Sequence, residues 1–362
     1  MIQKKMFILA FVCLFCLSTN GQTYAEQISI RVNTENDMIY FNFVNEPINN
    51  SGHIFVPLRE FAEEWKMKVD FDEELKLITL RHPSQIIELS IKNNKEVIVK
   101  NGTTYVPLRF ISEQFHTNVN WDGQTQTVHI DGYERFAYGT VENDSFWIKY
   151  KTGELYYAQG NEAPKMIGTI NHELYDIVTF KGVKMADDTF ALKVSDLYGE
   201  PHIHHQVFTM FVKNASILHK EMAYFKYRYE GHDLLMYNDL AILHAGTSIK
   251  LVNSEGEIIK ELPLTEDEKE QNYDLIALKP NYMLIRGNED GLLVYINRLI
   301  DERIILYKKL IENDVEREYI ENNGGTVPGD SLKFINEKDG TLIFSYSGLN
   351  ESGKTYTFNI FK

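Results

Sequence analysis

FVPLREFAEEW, residues 55–65, returns fifty positions later as YVPLRFISEQF, residues 105–115. Each copy sets a proline and an arginine on either side of one leucine. The offset holds beyond the quoted string: Glu63 matches Glu113, Trp65 matches Phe115, Val69 matches Val119, Phe71 matches Trp121 and Asp72 matches Asp122. A period of this length marks one supersecondary unit packed against its twin.

Proline's fixed φ and missing N–H suit the start of a helix, so Pro57 and Pro107 mark two helix starts. Leu58, Phe61, Ala62 and Trp65 then form an apolar stripe at helical spacing, which Leu108, Ile111 and Phe115 largely repeat. Beyond each helix the period changes to two. Val69 and Phe71, then Ile78 and Leu80, flank the turn DEEL; Val119 and Trp121, then Val128 and Ile130, flank DGQT. With strand material upstream, MIYFNF before the first copy and IIELSIKNNKEVIV before the second, the expected unit is ββαββ, written twice. Neither half can bury its stripe alone, so both should share one α+β domain over residues 27–132.

A cation in a helix's first turn faces the wrong end of the macrodipole, at a cost of about 0.3–1 kcal/mol. Asp72 and Asp122 follow Arg59 and Arg109 at the hairpin tips and are the expected compensation, each clamping a guanidinium to its hairpin. An anion-binding pair of arginines is the alternative.

These residues resemble the copper amine oxidase N-terminal-like domain, also called the stalk domain. Its pattern is V-P-L-R opening a helix, then a V-x-W-D strand and a V-x-I strand. The second copy carries VPLRFISEQF, VNWD and VHI; the first departs with VDFD and ITL. The resemblance covers residues 27–132 and makes Pro57, Arg59, Asp72, Pro107, Arg109, Trp121 and Asp122 its structural motif. It implies an extracytoplasmic module of Gram-positive bacteria joined to varied partner domains, one that itself neither holds copper nor oxidises. The rest of the chain is not expected to supply an amine oxidase. QNYD places Asn272, Tyr273 and Asp274 as in a topaquinone motif, but Lys269 occupies the threonine position, and His202 and His204 of PHIHH precede the tyrosine instead of following it.

At 362 residues the chain has room for two domains. Residues 1–25 read as a signal peptide: Lys4 and Lys5 precede MFILAFVCLFCL, and Thr23-Tyr24-Ala25 offers a cleavage site. An uncleaved anchor is the alternative, but the apolar run is shorter than the roughly 20 residues of a bilayer span. Both cysteines, Cys13 and Cys16, lie inside this segment, so the mature chain would hold no disulfide. The net charge of −15 becomes −17 on losing the two lysines. Such acidity argues against nucleic acid and against anionic lipid as partners.

Residues 133–362 change texture to short apolar runs broken by turns. FWIKYKTGELYYA, IKLVNSEGEIIKEL, YMLIRGNEDGLLVYI and LKFINEKDGTLIFSYS each read as strand, glycine-bearing turn, strand. An all-β domain of small sheets is expected, a small β-propeller first and a β-sandwich or irregular meander as the alternative. TEDEKEQ reads as a short helix, and ENDVEREYIENNGGTVPGD as a loop or ragged hairpin. His202 and His204 would share one face of a strand and are the candidate metal ligands; no cofactor is otherwise expected. Tyrosines on a propeller's top face would be placed to stack on sugar or peptide.

The expectation for function is an exported, non-catalytic binding or scaffolding protein of the cell envelope, with a cell-wall glycan or an envelope protein as partner. The alternatives are a dedicated glycan-binding module and an extracytoplasmic metal-assisted hydrolase or lyase.

Overall fold

The structure is a computed structural model and describes residues 28–34, 38–92, 97–226, 234–265, 271–322 and 329–361. The signal-peptide reading and most of TEDEKEQ lie outside the described residues.

The amino-terminal part runs β1 (Ser29–Asn33), β2 (Met38–Phe41), β3 (Ile48–Asn50), β4 (His53–Pro57), α1 (Leu58–Glu64), β5 (Lys68–Asp72), β6 (Leu77–His82), β7 (Gln85–Ser90), β8 (Ile98–Lys100), β9 (Thr103–Pro107), α2 (Leu108–Gln114), β10 (Asn118–Asp122) and β11 (Thr127–Asp131). Each proline closes a strand and caps the following helix, with φ of −64 at Pro57 and −65 at Pro107. That is one residue earlier than a first-turn position. The strands they end lie side by side, antiparallel, with Val56 opposite Val106, Phe55 opposite Pro107 and Pro57 opposite Tyr105. Three sheets result: β3–β4–β9–β8, β10–β11–β1–β2 and β5–β6–β7. MIYFNF thus supplies β2, a partner of β1 and no neighbour of β4.

Both helices face one apolar core. Leu58, Phe61, Ala62 and Trp65 join Leu108, Ile111 and Phe115 in a single cluster with Ile30, Val32, Leu80 and Ile130. Trp65 sits at its centre, its ring 4.7 Å from Phe61, 4.9 Å from Tyr133 and 5.6 Å from Phe115. Burial of this kind, at about 25 cal/mol per Å² of apolar surface, holds two seven-residue helices that would be unstable alone.

The arginine clamp is not made. Asp72 Oδ1 accepts the N–H groups of Glu74 and Leu75, both at 2.9 Å, and Asp122 accepts from the Gln124 N–H and the Thr125 hydroxyl, both at 2.8 Å. Each aspartate closes its own turn, because donors two and three residues away cost no loop ordering. Arg59 and Arg109 are exposed and make no ion pair among the described residues.

Among the described residues the remainder is mostly β: five antiparallel sheets in chain order, over residues 136–169, 177–226, 236–263, 273–305 and 332–359, the first four with four strands and the last with three. The four hairpins expected from the sequence are all present, and their turn glycines Gly153, Gly256, Gly291 and Gly340 have φ of 64, 93, 64 and 70. Consecutive sheets share apolar clusters. Phe146, Ile148 and Leu155 of the first pack with Phe190, Leu192 and Phe208 of the second. Phe211 of the second shares a cluster with Leu243 of the third, Ile249 of the third with Ile285 of the fourth, and Tyr295 of the fourth with Phe344 of the fifth. No such cluster joins the fifth sheet to the first among the described residues.

Two sheets therefore have one face free of a neighbouring sheet, and they treat it differently. On the fifth, buried Leu342, Phe344 and Tyr346 alternate with half-buried Thr341, Ile343 and Ser345, a pattern suited to water on one side. On the first, Phe136, Trp147 and Ala158 form a second apolar face. The amino-terminal part covers it: Trp147 Nε1 donates to the Lys66 carbonyl at 2.7 Å, and the Phe136 ring lies 4.7 Å from His82, edge-on.

Helices interrupt the β region between its fourth and fifth sheets. Where a loop was expected, Asp314–Glu321 form α4, preceded by the short α3 (Leu306–Leu310). Asn313 caps α4 by accepting from Val315 and Glu316 N–H groups, at 3.0 and 3.4 Å.

Candidate functional site

The link between the first two sheets, residues 170–176, is tied down from both sides. Asp196, in the strand Thr189–Tyr198, is fully buried and accepts the Tyr175 N–H at 2.9 Å and the Asp176 N–H at 3.1 Å, with Gln206 at 3.4 Å. Burial raises the pKa of its carboxyl, and these hydrogen bonds oppose the rise. From the other side Arg135 donates to the carbonyls of Tyr175 at 3.0 Å and Asp176 at 2.9 Å. Its guanidinium lies 4.1 Å over the Tyr150 ring. Tyr150 in turn donates its hydroxyl to the Asp176 carbonyl at 3.0 Å.

These bonds fix the backbone of Tyr175 while leaving its side chain out: the residue is 49% exposed. Its ring stands 4.6 Å from Tyr198, which stacks on His204 at 5.2 Å, which stacks on Tyr224 at 6.0 Å. Tyr175 also lines a pocket of about 390 Å³. Asn33 and Asp131 of the amino-terminal part line one wall, joined by a 2.6 Å hydrogen bond. Glu134, Arg135, Lys149 and Tyr150 line the other, with Lys149 paired to Glu134 at 2.7 Å. The volume falls in the range of about 300–1,000 Å³ usual for ligand sites.

The candidate metal ligands serve different neighbours. His202 stands in the turn ahead of the strand His204–Lys213, with Nε2 2.7 Å from Asp176 Oδ2, whereas His204 Nδ1 lies 2.5 Å from the Tyr224 hydroxyl. The shared strand face expected for the two is not formed, because His202 precedes the ladder. Among the described residues no three His, Cys, Asp or Glu side chains group as a metal site. Tyr273 of QNYD begins a strand of the fourth sheet, 4% exposed, with its hydroxyl accepting from Gln271 at 3.3 Å.

Of the motif residues, Pro57 and Pro107 shape the centre of the amino-terminal part, Asp72 and Asp122 its turns, and Trp121 lies half-exposed on the edge strand β10. None lines the pocket. Arg135 and Tyr175, which line it, and Asp196, which holds the Tyr175 backbone, were not singled out from sequence. Asp196 carried a usable signal, since a carboxylate inside the apolar strand TFALKVSDLY requires internal donors.

Residues 35–130 match the family profile of the copper amine oxidase N-terminal domain. This segment is a copper amine oxidase N-terminal-like domain. It accounts for β2 through β10 and most of β11, and its neighbour across the pocket is the five-sheet region. No curated protein matches the chain. Similar solved structures include a protein of unknown function from Bacteroides caccae, 10% identical over 77% of this chain and 81% of that one, with a TM-score of 0.23. Virginiamycin B lyase from Staphylococcus aureus with quinupristin is 10% identical over 80% of this chain and 92% of that one, at 0.27. The nidogen/laminin complex is 9% identical over 75% and 84%, at 0.24. At such scores these likenesses carry no argument.

Proposed function

We propose that this is an exported, non-catalytic binding protein of the cell envelope, freed of a signal peptide at residues 1–25. Residues 27–132 form a stalk-like domain of duplicated ββαββ units, and residues 133–362 a propeller-like body. Support for the duplication comes from element positions. β3, β4, α1, β5 and β6 start fifty residues ahead of β8, β9, α2, β10 and β11. Support for the propeller-like reading comes from the five consecutive antiparallel sheets sharing cores with their chain neighbours.

The observation that carries the reading is the junction pocket, walled by Asn33 and Asp131 on one side and by Arg135 and Tyr150 on the other. The stalk-like domain is then part of the binding site as well as a spacer. Sedimentation of the purified mature protein with isolated cell-wall sacculi tests this. Cosedimentation that saturates with protein is expected, and protein remaining in the supernatant at every sacculus concentration contradicts the proposal.

A further inference from the structure

Resting on that reading, we infer that the ligand is a polysaccharide, gripped by the exposed ring of Tyr175 and the charged wall of the junction pocket. Three properties of the site select this chemistry. The first is a rigid aromatic face. Tyr175 has its N–H held by Asp196 and its carbonyl by Arg135, and its ring is braced by Tyr198, so presenting that ring costs little ordering on binding. A pyranose offers the matching flat patch of C–H bonds, and an aromatic body with a polar tip suits a ligand that is apolar on one face and wet at its edge.

The second is a balanced set of charged groups. Asp131, Glu134 and Glu173 face Arg135, Lys149 and Lys151 around the pocket. Sugar hydroxyls donate and accept at once, so neighbouring carboxylates and cations can each take one bond from the same hydroxyl pair. Nucleic acid would require an excess of cations. The third is extent. From the pocket the ring series continues through Tyr198, His204 and Tyr224, and the His202–Asp176 pair stands beside its start. A chain of linked sugars has somewhere to go beyond the first unit.

The test uses the mature full chain and two probes: intact sacculi, and cell-wall glycan strands stripped of their peptides. By titration calorimetry the strands should bind. Tyr175→Ala should weaken them at least about tenfold, and Tyr175→Phe should stay within about twofold, since the ring face matters and the hydroxyl does not. Unchanged thermal melting of both variants would keep the result local, and should Tyr175→Ala melt lower, the same comparison between Tyr175→Phe and Tyr175→Ser decides it. If sacculi bind but stripped strands do not, recognition runs through peptide and the polysaccharide inference falls while envelope binding stands. If strands bind equally well to all variants, the placement at Tyr175 is wrong. If neither probe binds, the binding reading falls with it.

Discussion

Mild acid should loosen the joint between the stalk-like domain and the first sheet, and His82 sets the amount. Its ring is buried, lies edge-on to Phe115 at 5.2 Å and Phe136 at 4.7 Å, and its Nε2 has no hydrogen-bond partner. Burial lowers its pKa from 6.5 to about 3. With the folded value depressed, the unfolded chain takes up a proton below pH 6.5 that the folded chain refuses, so stability falls as pH falls and goes on falling to about pH 3. Between neutrality and pH 5 the difference is about 2 kcal/mol, from one and a half pH units at about 1.4 kcal/mol each. Two of the chain's three tryptophans, Trp65 and Trp147, are buried on either side of this joint, so urea unfolding followed by tryptophan fluorescence reports it directly. His82→Leu should lower stability at pH 7.5, because the Ser84 N–H loses its acceptor, yet lose about 2 kcal/mol less than wild type on going to pH 5. Parallel pH profiles for the two proteins would refute the argument.

Ser112 occupies the position of Ala62 in the other half, and its hydroxyl is buried without a partner, so Ser112→Ala should raise stability by about 1 kcal/mol in the same urea assay. Gly139 lets the first two sheets approach: an added Cβ would lie 2.7 Å from Cβ and Cγ of Phe180, and Gly139→Ala should cost about 1–3 kcal/mol, read as a lower Tm by circular dichroism. Arg286 and Asp330 form a fully buried ion pair at 2.9 Å between the fourth and fifth sheets. Arg286→Met should destabilise by about 3–5 kcal/mol in thermal melts, because it removes one partner of a buried ion pair and leaves the other without its cation.

Local features of the fold were legible and distant ones were not. Helix starts at Pro57 and Pro107 follow from a single residue's geometry, and the stripe from Leu58 to Trp65 follows from spacing alone. The hairpins of the five-sheet region were equally readable, since each pairs neighbouring segments across a glycine turn. The arginine clamp failed for a related reason: Asp72 and Asp122 had nearer donors than the guanidinium groups. α4 escaped notice because its inward face includes Glu316, a buried carboxylate that accepts from Tyr346, Leu349 and Asn350 and so breaks the apolar period. The pocket was invisible because Asn33, Asp131, Arg135 and Tyr175 come together from segments far apart in the chain, and nothing in their local spacing encodes that meeting.

The location of ligand binding can be read in one photo-crosslinking measurement. p-Benzoylphenylalanine placed at Tyr175 should, on irradiation with sacculi, remain with the pellet through denaturing washes, whereas the same group at exposed Ile258 on the third sheet should wash away. Equal retention at both positions, or retention at Ile258 alone, would contradict a binding site at the junction of the two parts.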